Sequence, residues 1–284
     1  MATVAIIGAG EIGGACAHAL AASDRVSDIL VIDQAARAAA GKVLDIQQSG
    51  AIDGFHARLD STDDASRATG CAVWVIADRF APGSPEWQGE DGLAMLKHAG
   101  ASAVDIPLVF AGATQAGLVA AQAHEAHLAR HRLVGSATEA LGSAVRAIVA
   151  MEAGCSPGEV SLAILGTPPS SFVVPWSGAS IGGYAIERAL SHVQLTRIEA
   201  RVARLWPPGP YALGVAAARI TEAILESSRR SYNVLTVLGG EFGVRDRVGT
   251  VPALLSSRGV VQTRIPSLNT RERVQLDTAL GAWT

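Results

Sequence analysis

The sequence predicts an α/β fold: a doubly wound parallel sheet over residues 1–135, followed by a C-terminal α+β domain over residues 136–284. Three observations predict it. Short apolar, β-branched runs alternate with helical segments through the first half of the chain, the pattern of a parallel sheet with crossover helices. The first of these runs leads directly into Gly8-Ala9-Gly10-Glu11-Ile12-Gly13, a G-x-G-x-x-G turn opening a helix. A second run ends in Asp33, 20 residues beyond Gly13, where a Rossmann-type domain carries an acid.

Each element follows from its own residues. TVAIIGAG (Thr3–Gly10) is a β-branched apolar run closed by glycines, hence a buried strand. A helix is expected from Ile12 to about Ala22, and DILVID forms the next strand. The alanine-rich stretches at 35–40 and 116–126 are good helix formers. Further strands are expected at Cys71–Ala77, Pro107–Gly112 and His131–Ala137. His124, His127 and His131 read as one helix face beside Glu125, solvent-facing and not a metal site.

The composition excludes several classes of function. At 284 residues the chain has room for about two domains, and 49% hydrophobic with 17% charged residues is a globular composition with ample core. The formal net charge of −3 lacks the electrostatic footprint of a nucleic-acid binder. Cys16, Cys71 and Cys155 are odd in number and form no CxxC, so they read as reduced thiols of a cytoplasmic protein. The apolar stretch Val4–Ala22 is interrupted by Glu11 and His18 and does not read as a membrane span.

The glycine turn carries the chemistry. In this spacing the first glycine permits the tight turn, the second lets backbone approach a pyrophosphate, and the third lets helix pack on strand. The helix N-terminus then faces the phosphates with its positive end. The candidate cofactor-binding residues are Gly8, Gly10, Glu11, Ile12, Gly13, Asp33 and Ala77. Asp33 favours NAD over NADP, since its charge binds ribose hydroxyls and repels a 2′-phosphate.

Beyond this turn, the chain resembles the lactate/malate dehydrogenase family. AAGKVLDIQQSG (Ala39–Gly50), RLVGSATEALGSAVRAIVAMEAGCSPGEVSLAILG (Arg132–Gly166), SFVVPWSGASIGG (Ser171–Gly183) and PYALGVAAARITEAIL (Pro210–Leu225) carry the resemblance. Residues 240–260 look like the family's final hairpin. The resemblance spans nearly the whole chain and implies NAD, a small-molecule substrate, and a homodimer or homotetramer. The stretch between Gly183 and Pro210 is shorter than the family usually shows.

The resemblance fails at the catalytic positions. In the family a histidine takes the hydroxyl proton while the nicotinamide takes hydride; that position here is Pro168. The aspartate that orients the histidine falls on Leu141, and the arginine that clamps the substrate carboxylate falls on Ala144. The loop arginine falls on Gln88 or Gly89, and the strand-end asparagine on Ala111 or Gly112. Proline has no proton to exchange, and alanine cannot hold a carboxylate bidentately. If Leu141, Ala144 and Pro168 line the pocket, it is apolar. The remaining catalytic candidates are Asp78, Arg79, Ser170 and Ser171, with Thr167 in the same segment as the serines, Glu139 just past the strand ending at Ala137, and Trp87 able to cover a ligand. The sequence therefore suggests an NAD-dependent oxidoreductase with an uncharged substrate; the alternative is a catalytically inactive NAD-binding or scaffold protein.

Overall fold

A computed structural model describes residues 2–101, 104–169 and 171–281. The chain begins with β1 (Thr3–Ile7), α1 (Glu11–Ala22), β2 (Asp28–Ile32), α2 (Ala36–Asp53), β3 (Arg58–Thr62) and β4 (Val73–Ile76). It continues through α3 (Gly89–His98), β5 (Leu108–Phe110), α4 (Ala116–His124), β6 (Leu133–Gly135) and α5 (Ala137–Ala153). These six strands form a parallel sheet in the order β3-β2-β1-β4-β5-β6. β1 and β4 are apolar runs buried along their length, as strands covered by helices on both faces must be. β3 (RLDST) is the polar edge strand and was not expected, since Leu59 is its one large apolar side chain.

The order of strands reverses about β1, with β2 on one side and β4 on the other. In open α/β sheets the crevice outside the strand ends at such a point is where ligands bind. Here that crevice is bounded by the glycine turn after β1 and the loop after β4.

The sheet does not stop at β6. After β7 (Val160–Ser161), β8 (Leu165–Thr167), β9 (Ser171–Val173), β10 (Ser180–Ile181), β11 (Tyr184–Ala185), α6 (Ile186–Ala189), α7 (His192–Val202) and α8 (Pro210–Leu225), the chain returns as β12 (Ser231–Gly239). β12 joins β6 antiparallel through Leu235 and Gly135, then carries β13 (Arg245–Ser256), β8 and β9 outward. β14 (Gly259–Thr263) adds to β13, and α9 (Thr270–Gly281) covers the far end. The hairpin expected at 240–260 corresponds to β13 and β14, which pair antiparallel. The strand before it, SYNVLTVLG of β12, lay outside the segment that carried the resemblance.

α8 lies directly against α1. A Cβ on Gly214 would meet Ala15 Cβ at 2.6 Å, Cys16 N at 2.7 Å and Ile12 O at 2.8 Å. Two of those three atoms are backbone and cannot swing aside. Gly214→Ala is therefore expected to destabilise by about 1–3 kcal/mol, although alanine is the better helix former. A urea midpoint equal to that of the unaltered protein would refute this close contact.

The histidines do not share a helix face. α4 ends at His124, and His127 sits at φ +53° in the connection that follows, so the helical spacing is lost. Among the described residues no group of three or more His, Cys, Asp or Glu is placed to hold a metal ion. No described helix is long and apolar enough to cross a membrane.

The thiols differ in access. Cys16 and Cys71 are buried and Cys155 is partly exposed. Burial, with Glu222 nearby, pushes the Cys16 thiol well above its ordinary range, and burial raises Cys71 as well. Iodoacetamide is expected to modify Cys155 in the folded protein, and Cys16 and Cys71 only after unfolding; peptide mass mapping reads the order.

Candidate functional site

The glycine turn is shaped by close backbone approach. Gly8 has φ +116°, and a Cβ there would meet the Asp78 carbonyl oxygen at 2.3 Å. A Cβ on Gly13 would meet the Gly8 carbonyl oxygen at 2.0 Å. These two positions serve the packing of turn, helix and strand. Gly10 differs: a Cβ there would lie 2.4 Å from the Asp78 carboxylate. The middle glycine thus makes room for a side chain of the protein itself.

That carboxylate is bound where an anion belongs. Gly10 precedes α1 and has no side chain with which to cap it. The first-turn amides of a helix need acceptors from elsewhere. Asp78 supplies them: Ile12 N–H donates to Oδ2 at 3.1 Å and Gly13 N–H to Oδ1 at 2.9 Å. Asp78 is only 1% exposed. Burial pushes its carboxyl above the ordinary carboxylate range, against the opposing pull of the Gly13 and Ile12 amides.

Asp33 is likewise engaged and 5% exposed. Its Oδ2 accepts from Ala9 N–H at 2.8 Å and Phe80 N–H at 2.9 Å, and its Oδ1 from Ala35 N–H at 2.9 Å. Lys42 Nζ donates to the Gly10 carbonyl at 2.6 Å and stands 5.9 Å from the centre of the Phe80 ring. Ala77 is fully buried at the end of β4, its N–H donating to Ile7 O at 3.0 Å. Glu11 is exposed in the first turn of α1.

The loop after β4 crosses the crevice and is tied at its far end. Glu86 Oε1 accepts from Ala113 N–H at 2.8 Å; its Oε2 accepts from Thr114 N–H at 2.7 Å and Thr114 Oγ1 at 2.6 Å. Asp78 and Glu86 face each other as an antiparallel bridge pair. Arg79 leans on Trp87, 4.8 Å from the ring centre, and reaches Asp91 at 3.5 Å. Trp87 is a core residue, 6% exposed, and is not a cover for a ligand. Lys42, Phe80 and Glu86 were missed by sequence reasoning. Phe80 acts through its amide, which every non-proline residue possesses, and Glu86 acts on a turn 27 residues away.

The expected apolar pocket is not formed by its three proposed walls. Pro168 borders a cleft with Phe110, Gly112, Thr138, Trp206 and Leu235 whose free volume is about 10 Å3, roughly the least that a single water needs. Leu141 is 0% exposed and packs among core residues including Val145, Ile164 and Val174. Ala144 is half-buried on α5 and does not line the cleft. None of the residues lining that cleft titrates. Its polar side chains are committed: Gln115 Nε2 donates to Trp87 O at 3.0 Å, and Thr138 Oγ1 to Asn233 O at 2.8 Å. Thr167 Oγ1 donates to Val248 O at 3.1 Å, and Ser171 starts β9 opposite Thr167. Ser170 lies outside the described residues. Glu139 binds Arg146 and the Asn233 N–H, the latter at 2.8 Å, and so ties α5 to β12. A larger cavity of about 530 Å3 lies elsewhere, with Glu139, Arg146, Arg229, Arg230 and Arg264 among its walls.

Comparison with known proteins agrees with this architecture. Residues 2–99 match the family model for the lactate/malate dehydrogenase NAD-binding domain. The malate dehydrogenase of Thioalkalivibrio sulfidiphilus is 28% identical over 99% of this chain and 97% of its own length. That of Cytophaga hutchinsonii is 26% identical over 97% and 94%. Among solved structures, a lactate dehydrogenase from a deep-sea metagenome library superposes with a TM-score of 0.87 at 22% identity, covering 99% of this chain and 96% of the other. The malate dehydrogenase of Salinibacter ruber gives 0.84 at 23% identity over 99% and 94%. Residues 2–99 thus match an NAD-binding domain, and the chain as a whole has the fold of these dehydrogenases.

Proposed function

We propose that this chain is an NAD-binding protein on the dehydrogenase fold that does not oxidise 2-hydroxy acids and has no catalytic turnover of its own. The observation that carries this reading is the cleft at Pro168: about 10 Å3 of free space and no titratable side chain on its walls. Oxidation of an alcohol to a carbonyl removes a proton as well as a hydride, and the nicotinamide accepts only the hydride. General acid–base catalysis, typically a factor of about 10²–10⁴, has no side chain to supply it there. The carboxylate clamp is absent as well, since Ala144 has no cation to offer. These two absences support the alternative that the sequence offered beside an active oxidoreductase, a catalytically inactive NAD-binding protein.

A second reading is supported by the walls themselves. Phe110, Pro168, Trp206 and Leu235 are apolar, so an opened cleft would suit an uncharged substrate. Under either reading the partners are small molecules, and assembly into a homodimer or homotetramer is inferred from the family resemblance alone.

The test follows NADH absorbance with lactate, malate, pyruvate, oxaloacetate and a panel of neutral alcohols and aldehydes. Turnover on the four acids is expected at least about 10⁴-fold below ordinary dehydrogenase values, from the missing base and clamp together. Ordinary turnover on malate or lactate would overturn the proposal, and turnover confined to a neutral compound would replace it with the second reading.

A further inference from the structure

We propose that residues 78–88 are an internal occupant of the dinucleotide crevice, with the Asp78 carboxylate seated on the amides that the cofactor's pyrophosphate would take. The inference rests on the reading of residues 2–99 as an NAD-binding domain. Three anchors hold the loop in the crevice. At its start, Asp78 takes the Ile12 and Gly13 amides at the N-terminus of α1. Next, Phe80 N–H takes Asp33 Oδ2, the acid expected to bind ribose. At its end, Glu86 takes the Ala113 and Thr114 amides at the turn after β5.

Each anchor is a contact with a group that a dinucleotide would use or crowd. A helix N-terminus attracts phosphate because its first amides are unpaired and its dipole favours negative charge. Here the Ile12 and Gly13 amides are paired with a buried carboxylate of the protein. Asp33 accepts from three backbone donors and has little surface left. In this arrangement the first turn of α1 has no room for a pyrophosphate, and its own negative charge repels one.

At Asp78 the competition comes from the carboxylate and not from the backbone. The Asp78 backbone is packed on the glycine turn, with Gly10 N–H donating to Asp78 O at 2.9 Å, so removing the carboxylate leaves the strand end in place. Lys42 stays beside the turn, bound to the Gly10 carbonyl, as a cation available to the incoming phosphates. Cofactor affinity is then lowered by the small fraction of molecules in which the loop is out.

The experiment titrates the unaltered protein, Asp78→Gly and Asp78→Gly/Glu86→Gln calorimetrically with NAD and, separately, with inorganic pyrophosphate. Circular dichroism first establishes that each variant is folded. Asp78→Gly is expected to bind both probes at least about 10-fold more tightly than the unaltered protein, and the double variant more tightly still. In the unaltered protein, saturating NAD is expected to speed hydrogen exchange at the Phe80 amide, since ribose displaces it from Asp33. Equal NAD affinity in the unaltered protein and Asp78→Gly would overturn the internal occupant and leave the NAD reading standing. Tighter pyrophosphate binding by the variants, with NAD bound by none of the proteins, would uphold the occupant and overturn the NAD reading. Folded variants that bind neither probe would overturn both.

Discussion

Leu141→Asp is expected to unfold the protein. The family resemblance marks position 141 as that of an orienting acid, so this substitution is the natural first step in restoring 2-hydroxy-acid chemistry. The structure places Leu141 inside the core, 0% exposed and packed with Val145, Ile164 and Val174. The substitution removes a buried apolar side chain, which for leucine costs about 2–5 kcal/mol when truncated. It also buries a carboxylate in a cluster whose described residues are all apolar, which adds several kcal/mol unless the acid takes up a proton. The sum rivals the whole stability of a typical domain, about 5–15 kcal/mol. The paired change with Ala144→Arg does not rescue it, because Ala144 is half-buried on α5 and outside the cleft that Pro168 borders. Urea unfolding followed by circular dichroism reads the effect. A Leu141→Asp protein with an unchanged midpoint would show that position 141 faces the cleft after all.

How far the sequence could be read depended on where each residue draws its partners. β1, β2 and β4 were legible because buried parallel strands must be apolar along their whole length, and TVAII, DILVI and VWVI satisfy this locally. β3 was not, because an edge strand is recognised by its neighbour and not by its own polar residues. The glycine turn was legible for the same local reason, since Gly8 and Gly13 are required by backbone contacts that no side chain tolerates. The occupant of that turn was not legible. Asp78 lies 65 residues from Gly13, and nothing in its surroundings in the sequence reports that it reaches the N-terminus of α1. The family resemblance put Pro168, Leu141 and Ala144 on one pocket, whereas of the three only Pro168 borders the cleft. Once an acid is replaced by leucine, packing decides where the side chain goes, and the apolar contacts of α5 claim it.

Asp33→Asn is expected to lower stability by about 2–4 kcal/mol, although it keeps the shape of the side chain. Asp33 is bonded only by donors: Ala9 and Phe80 N–H on Oδ2, Ala35 N–H on Oδ1. An asparagine offers one acceptor oxygen and one NH2 group. If its oxygen faces Ala9 and Phe80, the NH2 confronts the Ala35 N–H; if it is flipped, the NH2 confronts the other two. Either way at least one amide loses its acceptor, the part-buried Ala35 N–H or the other two; a buried loss costs about 1–3 kcal/mol, and the charge assistance of the remaining bonds is removed as well. A residue that served only to bind ribose would show the opposite balance, with stability unchanged and cofactor binding lost. Asp33→Asn should therefore move the urea midpoint in the absence of any cofactor, and Asp33→Ala, which removes both acceptor oxygens from the three donors, should move it further. An Asp33→Asn protein as stable as the unaltered chain would mean that these three amides are not held by Asp33 in solution. The loop at Phe80 would then lose the second of the contacts that keep it in the crevice.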